Sequence, residues 1–111
     1  LQAITQASDL ANHVLASETA GSMRSKEVPR PDTPPHWRQF VLAHPTGVRW
    51  HDTEPDFSYL SLEATFRHLY YEAVTHLYNV QRLKRAQGLT AAVELPNEGY
   101  WTLPDWDRSE P

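Results

Sequence analysis

The feature that most constrains this chain is an apolar stripe that runs from Leu62 to Leu83. Its members are separated by three or four positions, which places them on one side of an α-helix. They are Leu62, Phe66, Leu69, Ala73, Leu77, Val80 and Leu83. The pattern predicts one long amphipathic helix over residues 60–87, with this stripe as its buried face.

Both ends of this helix are marked in the sequence. Ser58 or Ser61 can cap its start, because a serine hydroxyl accepts a hydrogen bond from an amide of the first turn. Basic residues gather in its last turn, where they offset the negative end of the helix dipole. Gly88 follows, and glycine adopts the left-handed backbone of a helix C-cap most easily.

The opposite side of the helix is also unusual. It carries Arg67, Tyr71, Tyr78, Arg82 and Arg85. Tyrosines among arginines are typical of protein interfaces, so this side is a candidate for partner binding. The alternative is that other segments of the same chain cover the tyrosines. Either explanation predicts a helix that is covered on two sides.

A second, weaker helical pattern occupies residues 2–20. Its apolar positions are Ile4, Ala7, Ala11, Val14 and Leu15. Alanine favours a helix, and Gly21 can end it. An isolated helix of this length is marginal in water, so it needs a partner surface.

The other segments predict extended structure. Prolines concentrated between positions 29 and 35 favour a linker, and Thr33 with the prolines after it can begin a short helix. Val48 and Trp50 alternate with polar residues, which predicts a short extended piece before a polar loop. Thr90–Leu95 can be strand or coil, and a turn at 96–99 follows.

The predicted fold class is therefore mainly α, with extended arms rich in proline and tryptophan. An N-terminal helix occupies residues 1–21, and a Pro-rich linker with a short helix and an extended segment occupies residues 22–58. The central helix lies within residues 59–88, and residues 89–111 form an extended acidic and aromatic tail.

Composition excludes several classes of function. A net charge of −4 argues against a general nucleic-acid binder. The chain has no cysteine, which excludes disulfides, thiolate zinc sites and cysteine nucleophiles. No apolar run approaches the ~20 residues that span a bilayer, so no transmembrane segment is predicted. The expected location is intracellular, in an organelle matrix or the cytoplasm, and Leu1 leaves open whether a targeting segment was removed.

Three residues of the long helix resemble a metal-ligand pattern, because they lie four positions apart. They are His68, Glu72 and His76. The outer two are ~12 Å apart along the axis, too far to share one ion through bonds of ~2 Å. Hydrogen bonds or ion pairs between neighbouring turns explain the spacing better, and no metal or cofactor is predicted.

A second group of titratable residues precedes the helix. It consists of His44, His51, Asp52, Glu54 and Asp56. Carboxylates beside a histidine can perform acid–base catalysis if burial shifts their pKa values. In a loop bounded by prolines such residues more often form turns. We therefore do not predict an enzyme.

Basic residues with interleaved tyrosines can bind RNA through phosphates and base stacking. Arg67, Arg82 and Arg85 are the candidates for such a contact. The favoured alternative is that these residues meet the acidic tail of this same chain.

The aromatic residues carry the functional prediction, since rings in segments without regular structure anchor an extended chain onto a surface. The predicted partner-binding residues are Trp37, Trp50, Tyr71, Tyr78, Tyr100, Trp101 and Trp106. The predicted function is a non-catalytic accessory or structural subunit that straps across a larger assembly of other protein subunits. A respiratory complex of the mitochondrion or a ribosome is an example of such an assembly. The alternatives are an RNA-contacting subunit of a ribonucleoprotein and a small metal-dependent or acid–base enzyme.

Overall fold

The computed structural model describes residues 1–31, 37–90 and 93–110. One long helix lies beside a small sheet of three strands. The helices are α1 (Gln2–Leu15), α2 (Ala20–Ser25), α3 (Arg38–Val41) and α4 (Leu62–Ala86). The strands are β1 (Glu27–Arg30), β2 (Val48–Trp50) and β3 (Ser58–Ser61). A 3₁₀ turn spans Tyr100–Thr102. The mainly α prediction is therefore confirmed in part: the long helix and an N-terminal helix form, and the predicted extended piece is β2, but the sheet was not predicted.

Helix α4 forms as one uninterrupted element, close to its predicted bounds. The Ser61 hydroxyl accepts a hydrogen bond from the amide of Ala64 at 3.0 Å, so Ser61 is the N-cap. Glu63 lies in the first turn, and basic residues lie in the last. Gly88 has a φ of +71° just beyond the helix end. The helix starts later than predicted because residues 58–61 are a strand.

The sheet is antiparallel, with β3 between β1 and β2. Leu60 of β3 lies opposite both Val28 and Val48, and only 2% of it is exposed. Pro29 lies in the edge strand β1, where a missing amide proton breaks no bond within the sheet. The prediction of a linker over residues 22–35 is therefore wrong for its first part, which forms the end of α2 and then β1.

The N-terminal region also differs from its prediction. Helix α1 ends at Leu15, and α2 follows with Thr19 as its N-cap. Thr19 and Ser22 exchange hydrogen bonds between side chain and backbone, which fixes the start of α2. Gly21 lies inside α2 instead of ending the first helix.

The buried face of α4 is the opposite of the predicted one. Ala64, Val74 and Thr75 are the buried residues of this helix. Leu69 and Leu77 of the predicted stripe are 56% and 51% exposed. The prediction was wrong because the rest of the chain packs against the side that carries the tyrosines and arginines. The alternative, that the chain itself covers the tyrosines, is the one observed.

The buried core is small and lies where β3, α4 and the C-terminal tail meet. Its apolar members are Val41, Leu60, Ala64, Val74 and Tyr100, and its polar members are His44, Ser58, Ser61 and Thr75. A core of this composition depends on hydrogen bonds as well as on apolar burial, because a buried polar group without a partner is costly.

The C-terminal tail folds back along α4, which is the alternative that the sequence favoured over an RNA contact for Arg82 and Arg85. Arg82 donates to the carbonyl of Asp107 at 3.1 Å, and Arg85 forms an ion pair with Glu110 at 2.9 Å. The start of the predicted short helix, at residues 33–35, lies outside the described residues. Part of the Thr90–Leu95 segment does as well.

Candidate functional site

Two features stand out from the fold, and the first is a cluster of buried polar rings. The Tyr100 hydroxyl lies 2.8 Å from His44 Nε2 and 2.7 Å from His68 Nδ1. The Tyr100 amide donates to the Thr75 hydroxyl at 2.9 Å. We call His44, His68 and Tyr100 the Tyr100 cluster. It joins the loop after α3, the long helix and the tail at one point.

Neighbouring rings hold the cluster in place. His44 stacks on Tyr71 of α4, with centroids 5.4 Å apart and planes 16° from parallel. The rings of Trp37 and His68 meet edge to face, with centroids 4.7 Å apart. Tyr100 is 1% exposed and lies perpendicular to Tyr71 at 5.5 Å. Contacts of this kind add to the stabilisation from burial and fix the orientation of each ring.

Burial keeps the cluster neutral near pH 7. Desolvation lowers the pKa of His44 from 6.5 to about 4, and repulsion from Arg67 and from His68 in its protonated form acts in the same direction. Desolvation also lowers the pKa of His68 and raises the pKa of the Tyr100 hydroxyl. The uncharged forms of all three groups are therefore favoured.

The hydrogen-bond pattern assigns the protons. A neutral tyrosine hydroxyl donates one hydrogen bond, so one histidine accepts from Tyr100 and the other donates to it. His44 Nδ1 is buried without a hydrogen-bond partner among the described residues. Because an unpaired buried N–H is rarer than an unpaired acceptor, we assign the His44 proton to Nε2. His44 then donates to Tyr100, and Tyr100 donates to His68.

This arrangement suits a structural role better than a chemical one. The Tyr100 hydroxyl is paired on both sides and is excluded from solvent. A catalytic acid or base needs a substrate atom within hydrogen-bond reach. The cluster instead connects the tail to α4.

We expect the fold to lose stability as the pH falls from about 6.5 to about 4. In this window an unfolded His44 binds a proton and the folded one does not, so the free energy of unfolding decreases with decreasing pH. His44 alone accounts for up to about 3 kcal/mol of this loss, and His68 acts in the same direction. Urea unfolding followed by circular dichroism at several pH values measures it.

His44→Gln is the control for this dependence. The variant is expected to be less stable at pH 7.5 but to lose less stability on acidification, because one proton-binding group is gone. If the free energy of unfolding of His44→Gln depends on pH as strongly as that of the unmodified chain, the lowered pKa of His44 is contradicted.

The three residues that resemble a metal-ligand pattern do not converge. His68 is turned toward Tyr100, and His76 Nε2 lies 3.4 Å from the Glu72 carboxylate, one helical turn away. Within the part of the chain that the structure describes, no group of three or more His, Cys, Asp or Glu residues could hold a metal ion. The contact between Glu72 and His76 is of the kind that a spacing of four residues brings about on a helix.

The predicted acid–base group is divided between two places. His44 belongs to the Tyr100 cluster. His51 Nδ1 accepts hydrogen bonds from the amides of Thr53 and Glu54, at 3.3 and 3.1 Å. The side chain of His51 therefore shapes the loop, as residues of such loops commonly do.

The three arginines proposed for RNA contact bind groups of their own chain. Arg67 donates to the carbonyl of Thr46 at 3.1 Å and forms an ion pair with Glu63. Arg82 donates to the carbonyls of Asp107 and Ser109. Arg85 binds Glu110, as described above. In this structure groups of the tail occupy the guanidinium groups of Arg82 and Arg85.

Most of the predicted partner-binding rings contact other side chains of their own chain. Trp101 stacks on Tyr78 with centroids 4.4 Å apart. The guanidinium of Arg38 lies 4.2 Å from the ring of Trp50, and that of Arg30 lies 4.6 Å from the ring of Trp37. All four tryptophans, including Trp106, remain partly exposed. Tyr100 is buried, so it is not accessible to a partner in this structure.

The second feature is the exposed apolar side of α4, which we call the leucine face. It consists of Leu69, Tyr70, Ala73, Leu77, Val80 and Leu83. All six are exposed, and the five large side chains are between 45% and 57% exposed. Sequence reasoning identified most of these residues but predicted the face to be buried. Helix α1 has a smaller apolar side that is also exposed, at Ile4, Leu10 and Val14.

Comparisons with known proteins do not identify a function for this chain. No protein-family model, curated protein or solved structure matches it. Among the helices that the structure describes, none combines the length and the hydropathy needed to cross a membrane.

Proposed function

We propose that this chain is a non-catalytic structural subunit of a larger protein assembly and that it binds another protein through the leucine face of α4. The observation that carries the proposal is the exposure of this face, while the core of the chain lies on the other side of the same helix. A respiratory complex or a ribosome is an example of a fitting assembly.

The apolar residues of the leucine face form one continuous stripe. A single exposed leucine is ordinary on a protein surface, but a continuous apolar stripe marks a binding site. Burial of one large apolar side chain contributes ~1.5–3 kcal/mol, so covering the exposed half of each contributes about 1 kcal/mol. From Leu69 to Leu83 the face runs ~21 Å along a helix that is already formed. A partner with an apolar groove or helix can dock on it without ordering the backbone first.

The shape of the chain supports a structural role. Its radius of gyration is 16.5 Å, above the ~13 Å expected for a compact domain of this length. Its extents are 47 × 34 × 22 Å. In an elongated chain with a small core, each ordered residue leaves a large part of its surface exposed to solvent. Association with other subunits is a direct way to cover that surface.

We expect Leu77→Glu to release the chain from its assembly. The substitution places a charge in the middle of the leucine face, where docking would have to desolvate it. Sucrose-gradient sedimentation of a tagged chain, expressed in its own cells, measures the change. The unmodified chain is expected well above its monomer mass of 12.8 kDa, and the variant near it.

Leu42→Glu is the matched control, because Leu42 is 83% exposed and lies outside the leucine face. It should sediment with the unmodified chain. The proposal fails if the unmodified chain sediments as a monomer, or if both variants behave alike.

A further inference from the structure

We infer that the outer edge of strand β2 binds an extended segment of another protein, which joins the sheet as a fourth strand. We call the outward-facing backbone of Val48 and Trp50 the β2 edge. The inference goes beyond the proposed function, because it assigns a second contact that does not involve the leucine face.

The hydrogen bonds between β2 and β3 extend past the three residues of β2 itself. The Ser61 amide donates to the Gly47 carbonyl at 2.8 Å, and the His51 amide donates to the Phe57 carbonyl at 2.9 Å. The paired stretch of this edge strand therefore covers residues 47–51, which is ~16 Å at ~3.3 Å per residue. A partner segment of about five residues can lie along it.

The register shows which backbone groups of β2 face away from the sheet. Residues of an antiparallel strand bond alternately to one side and to the other. Residues 47 and 51 bond to β3, so residue 49 does as well. The N–H and C=O groups of Val48 and Trp50 then point outward, and within the described chain no group bonds to them. Four hydrogen-bonding groups are available to a further strand.

The β2 edge can be reached within the part of the chain that the structure describes. Among the described helices and strands, only β3 packs extensively against β2. Arg38 contacts the ring of Trp50, but the side chains of a strand point to the faces of its sheet. The backbone can therefore be approached in the plane of the sheet.

The opposite edge of the same sheet is blocked. The Leu62 amide donates to the Lys26 carbonyl at 2.9 Å, so the alternation directs Glu27 and Pro29 of β1 outward. Proline has no N–H group, and a proline at a sheet edge is a common device against strand addition. β2 contains no proline. Strand addition is therefore expected at β2 and not at β1.

The loop after β2 indicates the charge of the partner segment. Asp52, Glu54 and Asp56 are exposed. None of them forms an ion pair within the described chain. A lysine or arginine at the end of the segment nearest Trp50 would meet these carboxylates. The fitting occupant is an extended segment of β-branched residues with a basic residue at that end.

The β2 edge of a second copy fits less well. In the antiparallel register that bonds Val48 of one copy to Trp50 of the other, Arg49 lies directly opposite Arg49. Like charges in directly opposed positions destabilise a strand pair. A partner with a different sequence avoids this contact.

Amide hydrogen exchange, followed by nuclear magnetic resonance, tests whether the edge is free. We expect the amides of Val48 and Trp50 to exchange at least tenfold faster than those of Arg49 and His51, because only the latter two bond to β3. Equal protection of all four amides would contradict a free edge.

Random twelve-residue peptides displayed on phage are the probe for binding. Peptides selected on the purified chain should slow exchange at Val48 and Trp50 at least tenfold. Methylation of every second amide nitrogen of a selected peptide, in the register that faces the edge, should weaken binding at least tenfold. Methylation of the amides in between is the matched control and should have little effect, because those amides face solvent.

Val48→Pro tests the edge from the side of the chain. It removes one outward N–H group, and proline is tolerated at such an edge position. We expect peptide binding to weaken at least tenfold. Val48→Thr keeps the N–H group and should bind as the unmodified chain does, and so should Leu77→Glu. Circular dichroism verifies that each variant keeps its fold, and the methylated peptides test the same bonds without changing the chain.

Three results would overturn the inference. They are a selection that yields no binding peptide, peptides that leave exchange at Val48 and Trp50 unchanged, and binding that tolerates methylation in both registers. Protection of these two amides on concentrating the free chain would identify a second copy as the occupant and overturn it as well. None of these measurements involves the leucine face, so such a failure leaves the proposed function standing.

Discussion

Replacing Tyr100 with alanine is expected to lower the free energy of unfolding by about 3–5 kcal/mol. Tyr100 is the largest buried side chain of this small core, and its ring contacts Tyr71 and His44. The substitution leaves a cavity and removes the link between the tail and α4. Domains of this size have a total stability of about 5–15 kcal/mol, so much of it would be lost. Urea unfolding followed by circular dichroism at pH 7.5 measures the change.

Tyr100→Phe separates packing from hydrogen bonding. It keeps the ring but removes the hydroxyl that pairs with His44 and His68. We expect a loss of about 1–3 kcal/mol, because polar nitrogens are left without their partner. Equal stability of Tyr100→Phe and the unmodified chain would show that these hydrogen bonds do not hold the tail.

Gly47→Ala is expected to lower the free energy of unfolding by about 2 kcal/mol or more. Gly47 has a φ of +83°, which strains any residue with a Cβ. That Cβ would lie 2.3 Å from the Ser61 hydroxyl and 3.0 Å from Ala64 Cβ. Ser61 would have to move, and it caps α4. The urea midpoint of the variant gives the loss.

Gly88→Ala is the matched control for this substitution. Gly88 has a similar φ of +71°, but no atom lies within 4 Å of the position its Cβ would take. We therefore expect only the backbone strain, about 1 kcal/mol. If both variants lose the same free energy, contact with the Ser61 cap plays no part at position 47.

The Tyr100 cluster could be predicted only in pieces. Sequence reasoning selected His44 as part of a loop group, His68 as a weak metal candidate and Tyr100 as a partner-binding ring. Nothing in the local sequence shows that they meet, because Tyr100 is 56 residues from His44 and 32 from His68. Pairing at such separations depends on the path of the whole chain.

The sheet was not predicted, because its strand pairs also join segments that are distant in the sequence. β3 is only four residues long. From the sequence pattern alone, Leu60 fits the first turn of the following helix equally well. Its strand character depends on pairing with β1 and β2. Pro29 in β1 argues locally against a strand, and only its position at the sheet edge makes it acceptable.

The sequence by itself determined the existence of α4, a serine cap at its start, its charge polarity and its end near Gly88, because these depend on residues within one or two turns of each other. Only the tertiary structure decided which side of α4 is buried. The tail and the strands approach the side with Tyr71, Tyr78 and Arg82, whose rings and guanidinium find partners there. Periodicity shows that a helix has an apolar side, but it cannot show whether this chain or another protein covers it.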